Sequence, residues 1–235
     1  MPILAIETAT RQLGVALIEG HHLLASYEVF EEYPHAVELP GAVSRVLKAA
    51  RLTLKQLEAI VVDVGPGSFT GLRIGVACVK ALAFPTKMPL VGVSSLEVLA
   101  ANLPWTASFV CPVLDAKQRN VYAACYRVER GHPMQQGEYF LGPIEQFLER
   151  LEGSCVFLGD GAARYQDRIL LQCPAAQFAQ PEAGVPRALT LARLGSERFH
   201  HGQRDDPETL LPMYLYPFDC SVRSADRPTT VLPET

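Results

Sequence analysis

A glycine-rich turn near residue 65 has the residue types that could bind a phosphate group. The segment 65–71 follows an apolar strand from Glu58 to Val64 and leads into an apolar helix. Free backbone N–H groups and the helix dipole both favour an anion at such a helix start. The candidate anion-binding residues are Gly65, Gly67, Ser68, Thr70 and Gly71.

The spacing of these glycines matches neither of two common phosphate-binding motifs. They form G-x-G-x-x-x-G, one residue off the dinucleotide fingerprint, and no Lys-Ser or Lys-Thr pair follows as in a P-loop. The favoured interpretation is therefore structural, with Ser68 or Thr70 capping the helix after a tight turn.

Two apolar strands end in an acidic residue that could hold a metal ion or act as a base. Glu7 ends the strand from Ile3, and Asp115 ends the strand from Phe109. These carboxylates leave open the alternative that the protein is a small kinase or ATPase. Against that alternative, the chain is short for the class, and its glycine turns lack additional segments for binding adenosine. For Glu7 and its neighbours Thr8 and Thr10, satisfaction of backbone groups in the turn is the preferred interpretation.

The histidines and cysteines do not form a metal-binding motif. There is no H-E-x-x-H, which excludes the usual metallopeptidase site, and the pairs His21-His22 and His200-His201 are adjacent, so their side chains diverge on a helix. The cysteines, at positions 78, 111, 125, 155, 173 and 220, include no C-x-x-C pair. They are typical of buried thiols in a reducing compartment.

Composition indicates a globular protein of the cytoplasm. Of the 235 residues, 49% are hydrophobic and 20% charged, as in a globular protein. The net charge of −4 means that the chain lacks the excess of positive charge needed to bind nucleic acid unaided. The N-terminus lacks a leader-like pattern, and we expect no apolar segment of a length that spans a bilayer.

The order of the predicted elements indicates an internal repeat, in which one α/β unit occurs twice. Strands at 3–7, 13–19 and 23–30 precede a helix at 36–50, a strand ending at 64, a helix at 70–84, a strand at 89–93 and a helix from 94 to about 102. Strands at 109–115 and 121–128, a helix at 145–151 and the turn Gly159-Asp160-Gly161 repeat this plan. A helix from Pro186 to Phe199 follows. We therefore expect two lobes, residues 1–103 and 104–215, around a cleft suited to a nucleotide, and a mobile tail at 216–235.

These features together resemble the bacterial TsaB (YeaZ) family. The resemblance lies in residues 3–10, the block from Gly65 to Gly75, the strand end Asp115-Ala116-Lys117 and Gly159-Asp160-Gly161, and it extends from residue 3 to about 216. It implies the actin-like, sugar-kinase and Hsp70 (ASKHA) fold, duplicated and two-lobed. It also implies a part in making threonylcarbamoyladenosine (t6A) beside the anticodon of tRNA.

The resemblance implies that the chain is a non-catalytic partner subunit. The resemblance implies that TsaD transfers the threonylcarbamoyl group from the adenylate made by TsaC, that TsaE is an ATPase joining the complex, and that tRNA is reached through the complex. TsaD-like proteins hold a metal through paired histidines, whereas here only His35 stands, followed by Glu38 and Leu39. The resemblance thus implies no catalytic residue, metal or cofactor of its own, with ATP or ADP at the partner interface left open.

The resemblance also assigns the partner surface to the helices at 36–50 and 70–84. The first has an apolar stripe, and the second is apolar on nearly every side with small residues for close approach. Without TsaD, the same surface is expected to form a homodimer. The residues assigned to it, with the cations at its rim, are Ala36, Leu39, Val43, Val46, Leu47, Ala50, Leu72, Arg73, Val76 and Lys80.

Overall fold

The computed structural model describes residues 1–30, 35–103, 106 and 108–216, and contains two mixed five-stranded sheets. The first sheet has the order β3-β2-β1-β4-β5 and the second the order β8-β7-β6-β9-β10. The first consists of β1 (Pro2–Glu7), β2 (Gln12–Glu19), β3 (His22–Phe30), β4 (Ala59–Gly65) and β5 (Leu90–Ser94). The second consists of β6 (Phe109–Lys117), β7 (Asn120–Glu129), β8 (His132–Pro143), β9 (Cys155–Leu158) and β10 (Gln177–Phe178).

The two sheets confirm the predicted internal repeat. In each, the first three strands form an antiparallel meander, and the fourth pairs in parallel with the first. The fifth strand extends the parallel part. This duplicated two-lobed α/β architecture is the actin-like fold that the resemblance implies.

The helices cover both faces of each sheet. They are α1 (His35–Ala49), α2 (Phe69–Thr86), α3 (Ser95–Ala101), α4 (Ile144–Leu148), α5 (Asp160–Arg164), α6 (Gln166–Gln172) and α7 (Ala188–His200). Short 3-10 helices lie at Leu54–Gln56 and Pro181–Gly184. The helix predicted to stop at Pro85 continues to Thr86 and ends at Lys87, whose left-handed backbone (φ 52°) forms the C-cap.

Successive side chains of a strand lie on opposite faces of the sheet, so they pack against different helices. Leu4 and Ile6 of β1 join α1 and α2 in one core cluster, whereas Ile3 and Ala5 join α7 on the opposite face. Because both faces are covered, β1 is buried at every residue and apolar except at its last, Glu7.

Two helices each follow a strand of one sheet and pack on the other sheet. Helix α3 follows β5 of the first sheet but packs on β6, β7 and β8, while α7 follows β10 and packs on β1, β2, β4 and β5. The sheets lie on opposite sides of the predicted boundary at residues 103 and 104, but each lobe is completed by a helix from the other. Residues 217–235 of the predicted tail lie outside the described residues.

Helix α2 corrects the expectation about apolar segment length. By length and composition, its 18 residues suffice to cross a membrane, a test that core helices of soluble proteins also pass. Here α2 packs against β4, α1 and β1. Only a third of its residues are buried, so packing within the chain explains only part of its apolarity.

Candidate functional site

The glycine turn after β4 uses several of its backbone donors within the chain. Ser68 N donates to Ala9 O at 2.7 Å, and Gly65 N donates to the Asp63 carboxylate at 2.7 Å. Ser68 Oγ accepts from Gly71 N at 3.2 Å, which confirms the predicted cap of α2. These contacts support the structural interpretation, because the same N–H groups are not turned towards an anion.

The glycines let α2 approach the turn between β1 and β2. A Cβ atom on Gly67 would lie 2.4 Å from Ala9 O, and one on Gly71 would lie 2.1 Å from Thr8 O. A Cβ on Gly75 would lie 2.3 Å from Thr8 Oγ1. The spacing of these glycines is therefore explained by close packing, independently of any ligand.

Gly71→Ala should lower the free energy of unfolding by about 3 kcal/mol, because the new methyl group would overlap a backbone oxygen in a packed core. Gly41→Ala is the matched control, since its Cβ would meet only Arg45 Nη2 at 3.9 Å on α1. We expect that control to stabilise the chain by about 0.5–1 kcal/mol. Urea unfolding measures both, and equal stability of the two variants would contradict the close packing.

Glu7 and Asp63 form a buried carboxyl pair at the carboxyl ends of β1 and β4. Both residues are fully buried. Glu7 Oε1 accepts from Ala9 N at 2.7 Å, and Asp63 Oδ1 accepts from Gly65 N at 2.7 Å and from Ser95 Oγ at 2.5 Å. The remaining oxygens, Glu7 Oε2 and Asp63 Oδ2, are buried and have no hydrogen-bond donor among the described residues, so a proton shared between the two carboxyl groups is what would satisfy them.

Burial keeps that proton on the pair. Burial, together with the nearby charge of Asp63, raises the pKa of Glu7 well above its usual value. Burial also raises the pKa of Asp63, against the hydrogen bonds from Glu7 and Ser95 that lower it. We assign the proton to Glu7, which donates it to Asp63, because two bare carboxylates in contact would repel each other.

The carboxylate of the second lobe is neutralised by cations. Asp115 Oδ2 accepts from Lys117 Nζ and from Arg164 Nη1, both at 2.9 Å, while Asp115 N donates to Asp160 Oδ1 at 2.9 Å. Within the described part of the chain, no group of three or more His, Cys, Asp or Glu could hold a metal ion. The kinase alternative needs a strand-end carboxylate that is free to bind a metal ion. Glu7 is instead fully buried, and Asp115 is paired with two cations.

The segment 203–216, here called the C-terminal strap, crosses from the first lobe to the second. Asp205 N donates to Leu90 O at 2.8 Å, and Met213 N donates to Val64 O at 2.7 Å. Tyr216 OH then donates to Ala116 O at 3.0 Å near the end of β6 in the other lobe. The strap therefore runs from the start of β5 to the end of β4, beside the glycine turn where the cleft suggested a nucleotide.

Six side chains assigned to the partner surface lie instead in the core beneath α1 and α2. They are all buried, which corrects that part of the prediction: Leu39, Val43, Val46, Leu47, Leu72 and Val76. The stripe of α1 faces the first sheet, because an amphipathic helix buries its apolar stripe against its own sheet. Of the other assigned residues, Ala36 and Arg73 are exposed, and Ala50 and Lys80 are half-buried.

Helix α2 presents a second, outward row of side chains, here called the α2 stripe. Phe69 is 53% exposed and Phe84 81% exposed, at opposite ends of the helix. The full stripe, at helical spacing and exposed throughout, is Phe69, Arg73, Ala77, Ala81 and Phe84. Apart from Arg73 it is apolar, and exposed apolar rows of this kind are typical of interaction surfaces.

The two predicted rim cations are held by the C-terminal strap. Arg73 Nε donates to Tyr214 OH at 3.0 Å, and its guanidinium lies 3.8 Å from the centre of the Phe69 ring. Lys80 Nζ donates to Glu208 O at 3.2 Å. The predicted partner surface did not include Phe69, Ala77, Ala81, Phe84 or Tyr214, although the all-round apolarity of α2 was a signal for the four on the helix.

The chain is similar to proteins of one family over most of its length. It is 32% identical over 219 residues to the tRNA threonylcarbamoyladenosine biosynthesis protein TsaB of Bacillus subtilis (strain 168), covering 92% of this chain and 94% of that protein. For TsaB of Escherichia coli (strain K12), the identity is 30% over 223 residues, with coverage of 92% and 94%.

The comparisons of structure and of family models agree with these relatives. The solved structure of YeaZ from Pseudomonas aeruginosa matches with a TM-score of 0.80 at 29% identity, covering 91% of this chain and 99% of that chain. The family model of TsaD, described as tRNA N6-adenosine threonylcarbamoyltransferase, matches residues 31–144.

Proposed function

Because the chain belongs to the TsaB (YeaZ) family and so has a role in t6A biosynthesis, we propose that it is the non-catalytic subunit that binds and activates TsaD. The observation that carries the proposal is the α2 stripe, an apolar helix face that the described chain leaves exposed. Such a face gains free energy when a partner covers it.

TsaD is the partner that the chain's own sequence favours. The match to the TsaD family covers residues 31–144, which contain α1 and α2, so a TsaD protein should offer a pair of equivalent helices. Ala77 and Ala81 at the middle of the stripe allow helix axes to approach to roughly 8–10 Å. Phe69 and Phe84 at its ends supply the large apolar side chains that anchor interfaces.

The residues around the cleft favour a non-catalytic role. Glu7 and Asp63 are fully buried, and Asp115 is paired with two cations, so none of them is free to assist phosphoryl or acyl transfer. Transfer of the threonylcarbamoyl group made by TsaC would then occur on TsaD, with TsaE joining the complex. This assignment makes the chain a protein of the cytoplasm with no cofactor of its own, and leaves ATP or ADP to the partner interface.

The proposal has two further parts, a homodimer and the way in which tRNA is held. In the absence of TsaD, two copies would cover each other's α2 stripes in an isologous homodimer. Since the chain carries a net charge of −4, tRNA would be held by the complex and not by this subunit alone.

Mixing the chain with its TsaD partner tests the proposal. Size-exclusion chromatography with light scattering should show a one-to-one complex in place of the homodimer. Transfer of labelled threonylcarbamoyl to tRNA, with TsaC and TsaE present, should require this chain. No complex between folded partners would reject the proposal, and ATP turnover by the purified chain alone would favour the actin-like ATPase instead.

A further inference from the structure

Three cysteines lie side by side on one face of the second sheet. The pairs Val110↔Tyr126 and Val113↔Ala123 set the register of β6 and β7, so Cys111 lies directly opposite Cys125. On the other side of β6, Cys155 of β9 pairs with Phe109, two residues before Cys111. The side chains at 111, 125 and 155 all contribute to the core cluster of this face.

The cysteines form a contact chain that reaches the surface. Cys111 is 0% exposed, and the neighbouring thiols of Cys125 and Cys155, together with burial, raise its pKa well above the usual value. Cys125 is half-buried, so it is the member of the directly opposed pair that solvent reaches. All three are free thiols in the structure.

We propose that Cys111 and Cys125 are a reversible oxidation site, which a hydroperoxide converts into a disulfide between β6 and β7. Directly opposed residues of antiparallel strands have Cβ atoms about 4.5–5.5 Å apart, and a disulfide needs about 3.5–4.5 Å. The strands must therefore approach only slightly. In reducing compartments such disulfides are usually transient and redox-sensing.

The reaction begins at the half-buried thiol. The hydrogen bond from Cys111 lowers the pKa of Cys125, which favours its thiolate. That thiolate attacks one peroxide oxygen, the O–O bond breaks, and the leaving hydroxide takes up the thiol proton as water, leaving a sulfenic acid. Cys111 then attacks the Cys125 sulfur, the S–S bond forms and a second water leaves. Two thiols are thus oxidised while one hydrogen peroxide is reduced to two waters; an alkyl hydroperoxide would give one alcohol and one water.

Geometry favours Cys125 over Cys155 as the partner of Cys111. Cys155 lies diagonally from Cys111, is 6% exposed, and donates its own thiol hydrogen to Gly153 O at 3.8 Å. A metal site is a weaker interpretation of the same thiols, because no cluster able to hold an ion is present among the described residues.

The test uses the full chain with Cys220→Ser, which removes the cysteine outside the described residues. After hydrogen peroxide treatment, free thiols are alkylated under denaturing conditions and the peptides are analysed by mass spectrometry. We expect the loss of two thiols per chain, a peptide containing Cys111 linked to one containing Cys125, and recovery of both thiols with dithiothreitol.

Matched variants separate this site from ordinary thiol oxidation. Cys78→Ala removes a half-buried thiol on α2 in the other lobe and should leave the cross-link unchanged. Cys111→Ala and Cys125→Ser should each abolish it, and Cys155→Ala should not; the near-surface Cys125→Ser serves if Cys111→Ala fails to fold. A link from Cys111 to Cys155, or full alkylation of Cys125 after peroxide, would overturn the proposal. These outcomes do not depend on whether the chain binds TsaD.

Discussion

Ala77→Arg should weaken binding to TsaD by at least about 2 kcal/mol, some 30-fold in Kd, without lowering the free energy of unfolding. Ala77 is exposed at the middle of the α2 stripe, where the proposed helix packing leaves no room for a long charged side chain. Arginine is a good helix former, so α2 itself should be preserved. Isothermal titration calorimetry gives the affinity and urea unfolding the stability.

Ala163→Arg is the matched control for this prediction. Ala163 is also an exposed helical alanine, but it lies on α5 of the second lobe. The same substitution there should leave the affinity for TsaD unchanged. If Ala77→Arg binds as tightly as the wild type, the α2 stripe is not the partner surface.

The buried side of α1 cannot provide this test. Val43 is 5% exposed in the core beneath α1, so Val43→Arg would bury a charge and unfold the chain. Loss of binding by that variant would therefore reflect loss of the fold. Only substitutions on the exposed row separate binding from folding.

The fold could be predicted from the sequence because its signals are local and occur twice. The apolar strand ending in Glu7, followed by a polar turn and a second strand, recurs in the segment that ends in Asp115. Short-range alternation and turn residues suffice to recognise such a unit. Its duplication then predicts two sheets with the same strand order, as found.

The exchange of helices between the lobes could not be predicted in this way. Helices α3 and α7 each have an apolar face, but periodicity does not tell which sheet covers that face. The same ambiguity produced the wrong interface residues on α1. There the stripe containing Leu39 and Val46 packs on its own sheet, and the exposed face was left out of the prediction.

The C-terminal strap was missed because its contacts join distant parts of the chain. Tyr214 meets Arg73 across 141 residues of sequence, and Tyr216 meets Ala116 across 100. A segment without periodicity gives no local sign of where it lies. The pairing of Glu7 with Asp63 likewise depends on β1 and β4 being neighbours in register, with Ile6 beside Val62.

Asp63→Ala should destabilise the chain by about 3–5 kcal/mol, because three buried donors lose their acceptor and each costs about 1–3 kcal/mol. The substitution removes the acceptor for Gly65 N, for Ser95 Oγ and for the proton on Glu7. It leaves these donors buried without their partner. Urea unfolding at neutral pH measures the loss, and a change below about 1 kcal/mol would contradict the pairing.

Glu7→Gln keeps the same hydrogen bonds without a titrating group. An amide at position 7 still donates to Asp63 and still accepts from Ala9 N, so at mildly acidic pH this variant should be close to the wild type in stability. The comparison with Asp63→Ala separates loss of the hydrogen bonds from loss of the proton.

The pH dependence of unfolding then identifies where the proton is held. In the wild type, the raised pKa of Glu7 means that the folded chain holds a proton which the unfolded chain releases. This contribution to stability is complete below the pKa of an unfolded glutamate and is lost as the pH rises through the raised pKa of the folded state. The negative charges of Asp63 and Glu28 raise the pKa of Glu7 further. The hydrogen bond from Ser95 stabilises the carboxylate of Asp63. Wild-type stability should therefore fall with rising pH where Glu7→Gln stays level; parallel curves would mean that the pair is not held by a shared proton.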